Sequence, residues 1–398
     1  MTPVIPYGRQ WISDADVEKV VAALRSDFLT CGPRVEEFEQ RFAQFVGARY
    51  AVAMNSATGA LHVALAVGGV KPGDRVVTSA NTFLASANCA AFVGATPDFA
   101  DVDPVSGNLA PQALAREWRT DTRAVIPVAY AGQPADMPAI AEIARARGAL
   151  VVEDACHAVG SAFRHAGAEW RVGGHPWADM TVFSFHPVKT MTTGEGGMLV
   201  TDNDEWATRA RQLRAHGMVR SGFEGLGVEG DAEISEQGPW YYEMRDLGWN
   251  YRLTDLQCAL GLSQLDRLDA FIGRRREIVA RYNAGLSGID WLQTPGLAGP
   301  AVAELTSWHL YTVQIDFATL GRTRTAVMQE LRAKGVGSQV LYIPVYLQPW
   351  YRRQFGYRAG KCPVAERNYR RTLSLPLYPA MTDEQVEHVI VTVRSLRN

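Results

Sequence analysis

Val17, Val20, Val21 and Leu24 recur at the i, i+3, i+4, i+7 spacing of one helix face, and Ser13 with Asp16 three positions on has the form of a capping box. The chain therefore opens with a helix, and Val35, Phe38, Phe42 and Phe45 predict a second. After it the pattern changes. Short apolar runs at 50–54, 75–78, 96–100, 123–128, 150–153, 180–183 and 198–201 read as strands, and several are followed by helical stretches, at 58–67, 83–92, 137–147 and 205–216. This βαβ alternation implies an α/β fold with a largely parallel sheet covered on both faces, whose ligands sit at the carboxyl ends of the strands. From Thr254, the residues Leu256, Leu260, Leu265, Leu268, Ile272 and Ile278 sustain a long helical pattern. Gly- and Pro-bearing sequence at 295–300, a strand at 311–315 and a helix at 323–334 then suggest a smaller α+β unit. The Gly- and acid-rich stretch 221–238 reads as a surface loop.

Composition narrows the function classes. A formal net charge of −2 over 398 residues, with no basic block, gives no electrostatic footprint for nucleic acid or an anionic membrane. No stretch approaches the ~18–20 apolar residues of a membrane span, and Arg9 arrives before an apolar signal core can form, so the expected location is the cytoplasm. Cys31, Cys89, Cys156, Cys258 and Cys362 are scattered without a C-x-x-C pair, which argues for reduced, mostly buried thiols and against a disulfide framework or a zinc site. Small-molecule chemistry remains.

Only five of the 40 basic residues are lysines (Lys19, Lys71, Lys189, Lys334 and Lys361), so each is informative. Lys189 follows a buried strand in a stretch, 180–193, that holds no other lysine, arginine or acidic side chain. An amine in an apolar pocket has a depressed pKa and becomes a nucleophile able to form a Schiff base; alternatively, the lysine snorkels from a strand end. Asp154 ends the strand Val151-Val152-Glu153, where it either points into the ligand crevice or is simply solvated. A pyridoxal phosphate (PLP) site needs one carboxylate against the pyridine nitrogen. Ser56-Ala57-Thr58-Gly59 at a strand-to-helix junction offers small residues, hydroxyls and free N–H groups to an anion, though Ser and Thr are also ordinary caps. The same two readings apply to Ser184. Phe83 reads as core or as a cover for a cofactor ring, and His157 as a packed histidine or a site residue. Gly194-Glu195-Gly196-Gly197 predicts a tight turn.

Together and in this order, Ser56-Ala57-Thr58-Gly59, Glu153-Asp154-Ala155-Cys156-His157, Ser184 through Lys189, Gly194 through Gly197 and Gly248 through Asp255 resemble the sugar aminotransferases of the DegT/DnrJ/EryC1/StrS family over nearly the whole chain. That resemblance implies fold type I. An N-terminal segment and a large PLP-binding domain with a mostly parallel seven-stranded sheet would occupy 1–255, and a connecting helix with a small C-terminal α+β domain 256–398. It implies PLP on Lys189 as Schiff-base lysine, with Asp154 as pyridinium partner, His157 near the ring oxygen and Phe83 over the ring. Ser56, Ala57, Thr58 and Ser184 would hold the phosphate, joined by Asn250 from the other subunit of a homodimer. Tyr7, His309, Tyr342 and Gln348 are implied substrate contacts. Stretches 5–10, 26–30, 132–134, 238–244, 342–345 and 373–378 are similar to the branch that serves pseudaminic acid synthesis. Members of that branch use L-glutamate to aminate C4 of UDP-2-acetamido-2,6-dideoxy-β-L-arabino-hex-4-ulose. Alternatives are another nucleotide-linked 4-keto-6-deoxy sugar, or a non-catalytic ligand sensor; the family's dehydratases replace the lysine by histidine, which this chain does not. Cys31 departs from the glutamine usual there, and the acidic stretch 224–236 is longer than usual.

Overall fold

The computed structural model describes residues 4–228, 234, 236–299 and 301–397, so part of the 221–238 loop and Pro300 lie outside the described residues. Its centre is a seven-stranded sheet: β1 (Tyr50–Met54), β2 (Arg75–Ser79), β3 (Thr96–Ala100), β4 (Thr122–Ile126), β5 (Leu150–Asp154), β6 (Met180–Ser184) and β7 (Gly197–Thr201), in the order β1-β7-β6-β5-β4-β2-β3. All neighbours are parallel except that β7 runs against both β6 and β1. All seven predicted strands are present, and the mostly parallel sheet is the one expected. The registers Asp154↔Val182, Ser184↔Gly197 and Met54↔Gly197 bring the ends of β1, β5 and β6 and the start of β7 to one edge.

Side chains alternate across the sheet with period two. Phe183 and Met198 pack on one face with Phe38 and Phe42 of the Pro33–Val46 helix, while Val182 and Leu199 face Leu61 and Leu65 of the Ala57–Val67 helix. Phe38, Phe42, Phe183 and Phe185 are fully buried, each a contribution of about 1.5–3 kcal/mol before entropy is charged. The sheet is therefore a rigid platform for whatever its carboxyl edge carries.

The Leu268–Gly285 helix joins two cores: Phe271 and Ile272 sit in the sheet core, and Ile278, Val279 and Tyr282 one to three turns on sit in the second. That second core surrounds an antiparallel three-stranded sheet of Leu292–Gln293, Tyr311–Ile315 and Thr372–Leu375. The N-terminal segment packs here: Ile5 is buried in this core and bonds the backbone of Gly335 and Gly337, at 2.9 and 2.8 Å. No helix among the described residues is long and apolar enough to cross a membrane.

Candidate active site

One cavity of about 390 Å³ lies at the carboxyl edge of the sheet, lined by Ser56, Ala57 and Thr58 from the end of β1, Asp154, Cys156 and His157 after β5, Ser184 and Lys189 after β6, and by Tyr7, Phe83 and Tyr342. The parallel register sets this convergence, since three strand ends deliver three motifs far apart in sequence. Lys189 sits in the turn between β6 and β7, where its N–H donates to the His186 carbonyl at 2.8 Å, with no carboxylate in ion-pair reach of its amine among the described residues. Loss of water lowers its pKa, opposed by its interactions with Cys156 and Asp154. An amine free to attack is the result.

Asp154 is buried, and donors reach both its oxygens: Ser86 Oγ gives Oδ2 a hydrogen bond of 2.6 Å and the Cys156 N–H gives Oδ1 one of 3.1 Å. A carboxylate so furnished is fixed in orientation by a hydrogen bond on each oxygen. At the opposite wall Ser56 caps the Ala57–Val67 helix by accepting the Gly59 N–H at 3.1 Å, and its carbonyl takes the Ala60 N–H. The N–H groups of Ala57 and Thr58 are left without an acceptor among the described residues, beside the positive end of the helix. Gly197 explains how the chain passes so close: a Cβ there would lie 2.4 Å from the Ala57 nitrogen.

His157 is satisfied within the protein. Its Nδ1 accepts the Ala131 N–H at 3.3 Å, so the neutral ring carries its proton on Nε2, 3.2 Å from the Tyr342 hydroxyl. Burial, then the Lys189 charge, keeps its pKa well below the ordinary 6.5. His309 does not line the cavity; it packs behind His157 with ring centroids 4.3 Å apart and the rings tilted by 47°. Phe83, a residue that also reads as core, is 55% exposed over the cavity, and the helix predicted to begin at it starts instead at Ala85. Gln348 precedes a short helix outside the cavity. Asn250 is exposed and also outside it, its carbonyl accepting from Asn55 Nδ2 at 3.4 Å. Cys31 is exposed at φ +57 and lines a separate groove of about 760 Å³ with Arg49, Arg211 and Arg252. That groove is larger, but it holds neither Lys189 nor Asp154 nor the Ser56–Thr58 helix start.

Sequence reasoning missed Thr82, Ser86 and Cys156 as site residues. Thr82 and Ser86 stand four apart just after β2, a spacing that puts both hydroxyls on one side of a helical turn, which is the signal that was available.

A half-buried lysine and a buried carboxylate facing an anion cradle across one largely apolar cavity fit PLP, and the fold is that of the PLP-dependent sugar aminotransferases of fold type I. The chain matches the DegT/DnrJ/EryC1/StrS aminotransferase family over residues 10–394 and belongs to that family. It is 42% identical over 98% of its length, and 97% of the relative's, to the spore coat polysaccharide biosynthesis protein SpsC of Bacillus subtilis. Among solved structures it is similar to Helicobacter pylori PseC, an aminotransferase involved in the biosynthesis of pseudoaminic acid, with 27% identity, a TM-score of 0.87 and 99% of each chain covered. Streptococcus pneumoniae Spr1654, solved in PLP and PMP forms, is 29% identical with a TM-score of 0.87 and 99% and 98% coverage. The cofactor is PLP.

Proposed function

We propose that the protein transfers the amino group of L-glutamate to C4 of UDP-2-acetamido-2,6-dideoxy-β-L-arabino-hex-4-ulose, in the cytoplasm, as a homodimer with shared active sites. The observation that carries the transfer chemistry is the Lys189 amine and Asp154 carboxylate facing one cavity beneath the free N–H groups of Ala57 and Thr58. PLP supplies an electron sink for the carbanion that forms at the donor carbon. Lys189 Nζ would hold the cofactor covalently and, once released by glutamate, would take the glutamate α-proton and later deliver a proton to sugar C4. Asp154 holds the proton on the ring nitrogen. Ser56, Ala57, Thr58 and Ser184 bind phosphate, Phe83 covers the ring, and His157 with Tyr342 orients its oxygen side. Tyr7 and Tyr342 border the sugar. His309 acts through His157, and Gln348 lies further out toward the nucleotide.

The shared site is supported by the surface beside Asn250. Trp240, Met244 and Leu247 are 61, 63 and 81% exposed, a cost that a second copy seated on them would remove while bringing Asn250 to its neighbour's phosphate. The sugar is supported by full-length similarity to the Helicobacter pylori enzyme. A second reading, another nucleotide-linked 4-keto-6-deoxy sugar, is favoured by the higher identity to a polysaccharide biosynthesis protein. Both are tested by offering the PLP-loaded enzyme glutamate with the proposed ketose, its α-D-xylo epimer or dTDP-4-keto-6-deoxyglucose and measuring 2-oxoglutarate release. A pocket built to hydrogen-bond the acetamido group can reject sugars lacking it by up to ~10⁴-fold, so the first ketose should show the highest kcat/KM. Preference for the dTDP sugar overturns the first reading in favour of the second.

A further inference from the structure

Asp154 is the end of a chain of hydroxyls. Ser86 Oγ lies 2.6 Å from Asp154 Oδ2, and Thr82 Oγ1 lies 2.7 Å from Ser86 Oγ. Ser86 is 0% exposed and Thr82 2%, so neither hydroxyl has water to turn to. The single Ser86 proton is given to Asp154 Oδ2, so the link behind it must run from the Thr82 proton to Ser86 Oγ. Two donors in series point at one carboxylate oxygen, while the Cys156 N–H holds the other. The 2.6 Å separation is that of a charge-assisted O–H···O⁻ bond.

We infer that Thr82 and Ser86 are positioning residues that fix the Asp154 carboxylate in one orientation for the ring nitrogen of PLP. The inference rests on the aminotransferase reading above. Without Ser86, Oδ2 loses its one donor among the described residues and draws more strongly on the proton of the ring nitrogen. The proton shared with the ring nitrogen then shifts toward Asp154, and the ring draws electrons less strongly. The charged or titratable groups around Asp154 are Lys189, Cys156, Cys89, His157 and Tyr342, all present in every variant, so a comparison among variants isolates the hydroxyls.

The test uses PLP-loaded wild type, Ser86→Ala, Thr82→Val and the double variant. It measures the pH midpoint of the visible absorbance of lysine-bound PLP, kcat and KM for glutamate, and Tm. Loss of positive charge on the ring raises the proton affinity of the lysine imine, so Ser86→Ala should move the midpoint up by about half a unit or more and lower kcat about tenfold, with KM within about twofold. Thr82→Val should act in the same direction by less, and the double variant should match Ser86→Ala because Thr82 acts through Ser86. Thr82→Val, nearly isosteric, keeps the inference testable if Ser86→Ala does not fold. Wild-type midpoints and kcat in both variants with PLP bound would overturn the hydroxyl chain alone. A wild type that forms no lysine-bound chromophore would overturn the aminotransferase reading, and the inference with it.

Discussion

The carboxyl edge of the sheet and the 218–250 excursion beside it were built to different ends. At the edge, Asp154 has donors on both oxygens, His157 uses both ring nitrogens, and Gly197 lets backbone pass within contact of the helix start. The excursion is anchored by a two-residue ladder, Met218–Val219 against Glu243–Met244, with Glu243 accepting from the N–H groups of Glu224 and Gly225. Around those anchors it presents Trp240, Met244 and Leu247 to solvent. The polar groups of the first region find their partners within one chain; the second leaves large apolar side chains to solvent. Substitutions at the edge should therefore change chemistry in every state of the protein, and substitutions on the excursion should act through association.

The largest effect sharpens the first half of that contrast. Lys189→Ala should lower kcat by at least ~10³-fold, since nucleophile and proton carrier vanish together, while Asp154 and the Ser56–Thr58 cradle still hold PLP through dialysis. Turnover within tenfold of the parent would remove Lys189 from the reaction.

How much of this was legible in the sequence follows from how local each signal is. Lys189, Asp154 and Ser56 each stand beside a strand end that apolar runs announce, so the seven strands and the floor of the cavity could be read directly. Tyr7 reaches the cavity only because Ile5 pairs with Val336, a contact between chain ends that no periodicity encodes. Trp308 at φ +51, beside Gly132 where a Cβ would lie 2.8 Å from the Trp308 nitrogen, turns His309 behind His157; nothing in the string of residues marks a tryptophan for that conformation. The hairpin of Ala162–His165 and Ala168–Arg171 escaped because Ala166 takes φ +50 where Asn would be the usual sign; with Gly167 at φ +81 it meets the two positive values a tight hairpin requires. Helices Pro111–Glu117, Pro349–Phe355 and Pro363–Arg371 are too short for a stable period and start on a proline, the one signal they carry.

Two experiments of intermediate size aim at the excursion. Mixing Lys189→Ala with an Asn250→Ala variant crippled in PLP binding should return about a quarter of wild-type activity, because half of the randomly assorted dimers are mixed and each has one site with both residues intact. No recovery in proven heterodimers would mean each site is complete in one chain. Leu247→Glu should leave the fold intact, since a surface change at an 81% exposed position costs within about 0.5 kcal/mol in an isolated chain, and yet dissociate the dimer in sedimentation. An unaltered dimer would remove this surface from the interface.

The smallest effect tests whether the edge is as self-contained as its hydrogen bonds suggest. His157 and His309 are buried against each other, and loss of water, followed for His157 by the Lys189 charge and for His309 by its neighbours His157 and Lys189, holds both pKa values well below 6.5. A histidine that stays neutral when folded but takes a proton when unfolded contributes stability that is whole above pH ~6.5 and is lost as pH falls below it. At pH about 5.5 each should have cost about 1.4 kcal/mol relative to high pH, the free energy of protonating the unfolded side chain alone. His309→Gln removes one such group. Its packing loss is the same at both pH values, so the stability lost by apo wild type between pH 7.5 and 5.5 in urea unfolding should exceed that of the variant by about 1 kcal/mol. Equal losses would mean that His309 takes up its proton inside the folded protein, and that the space behind His157 admits water which the closed packing of that edge excludes.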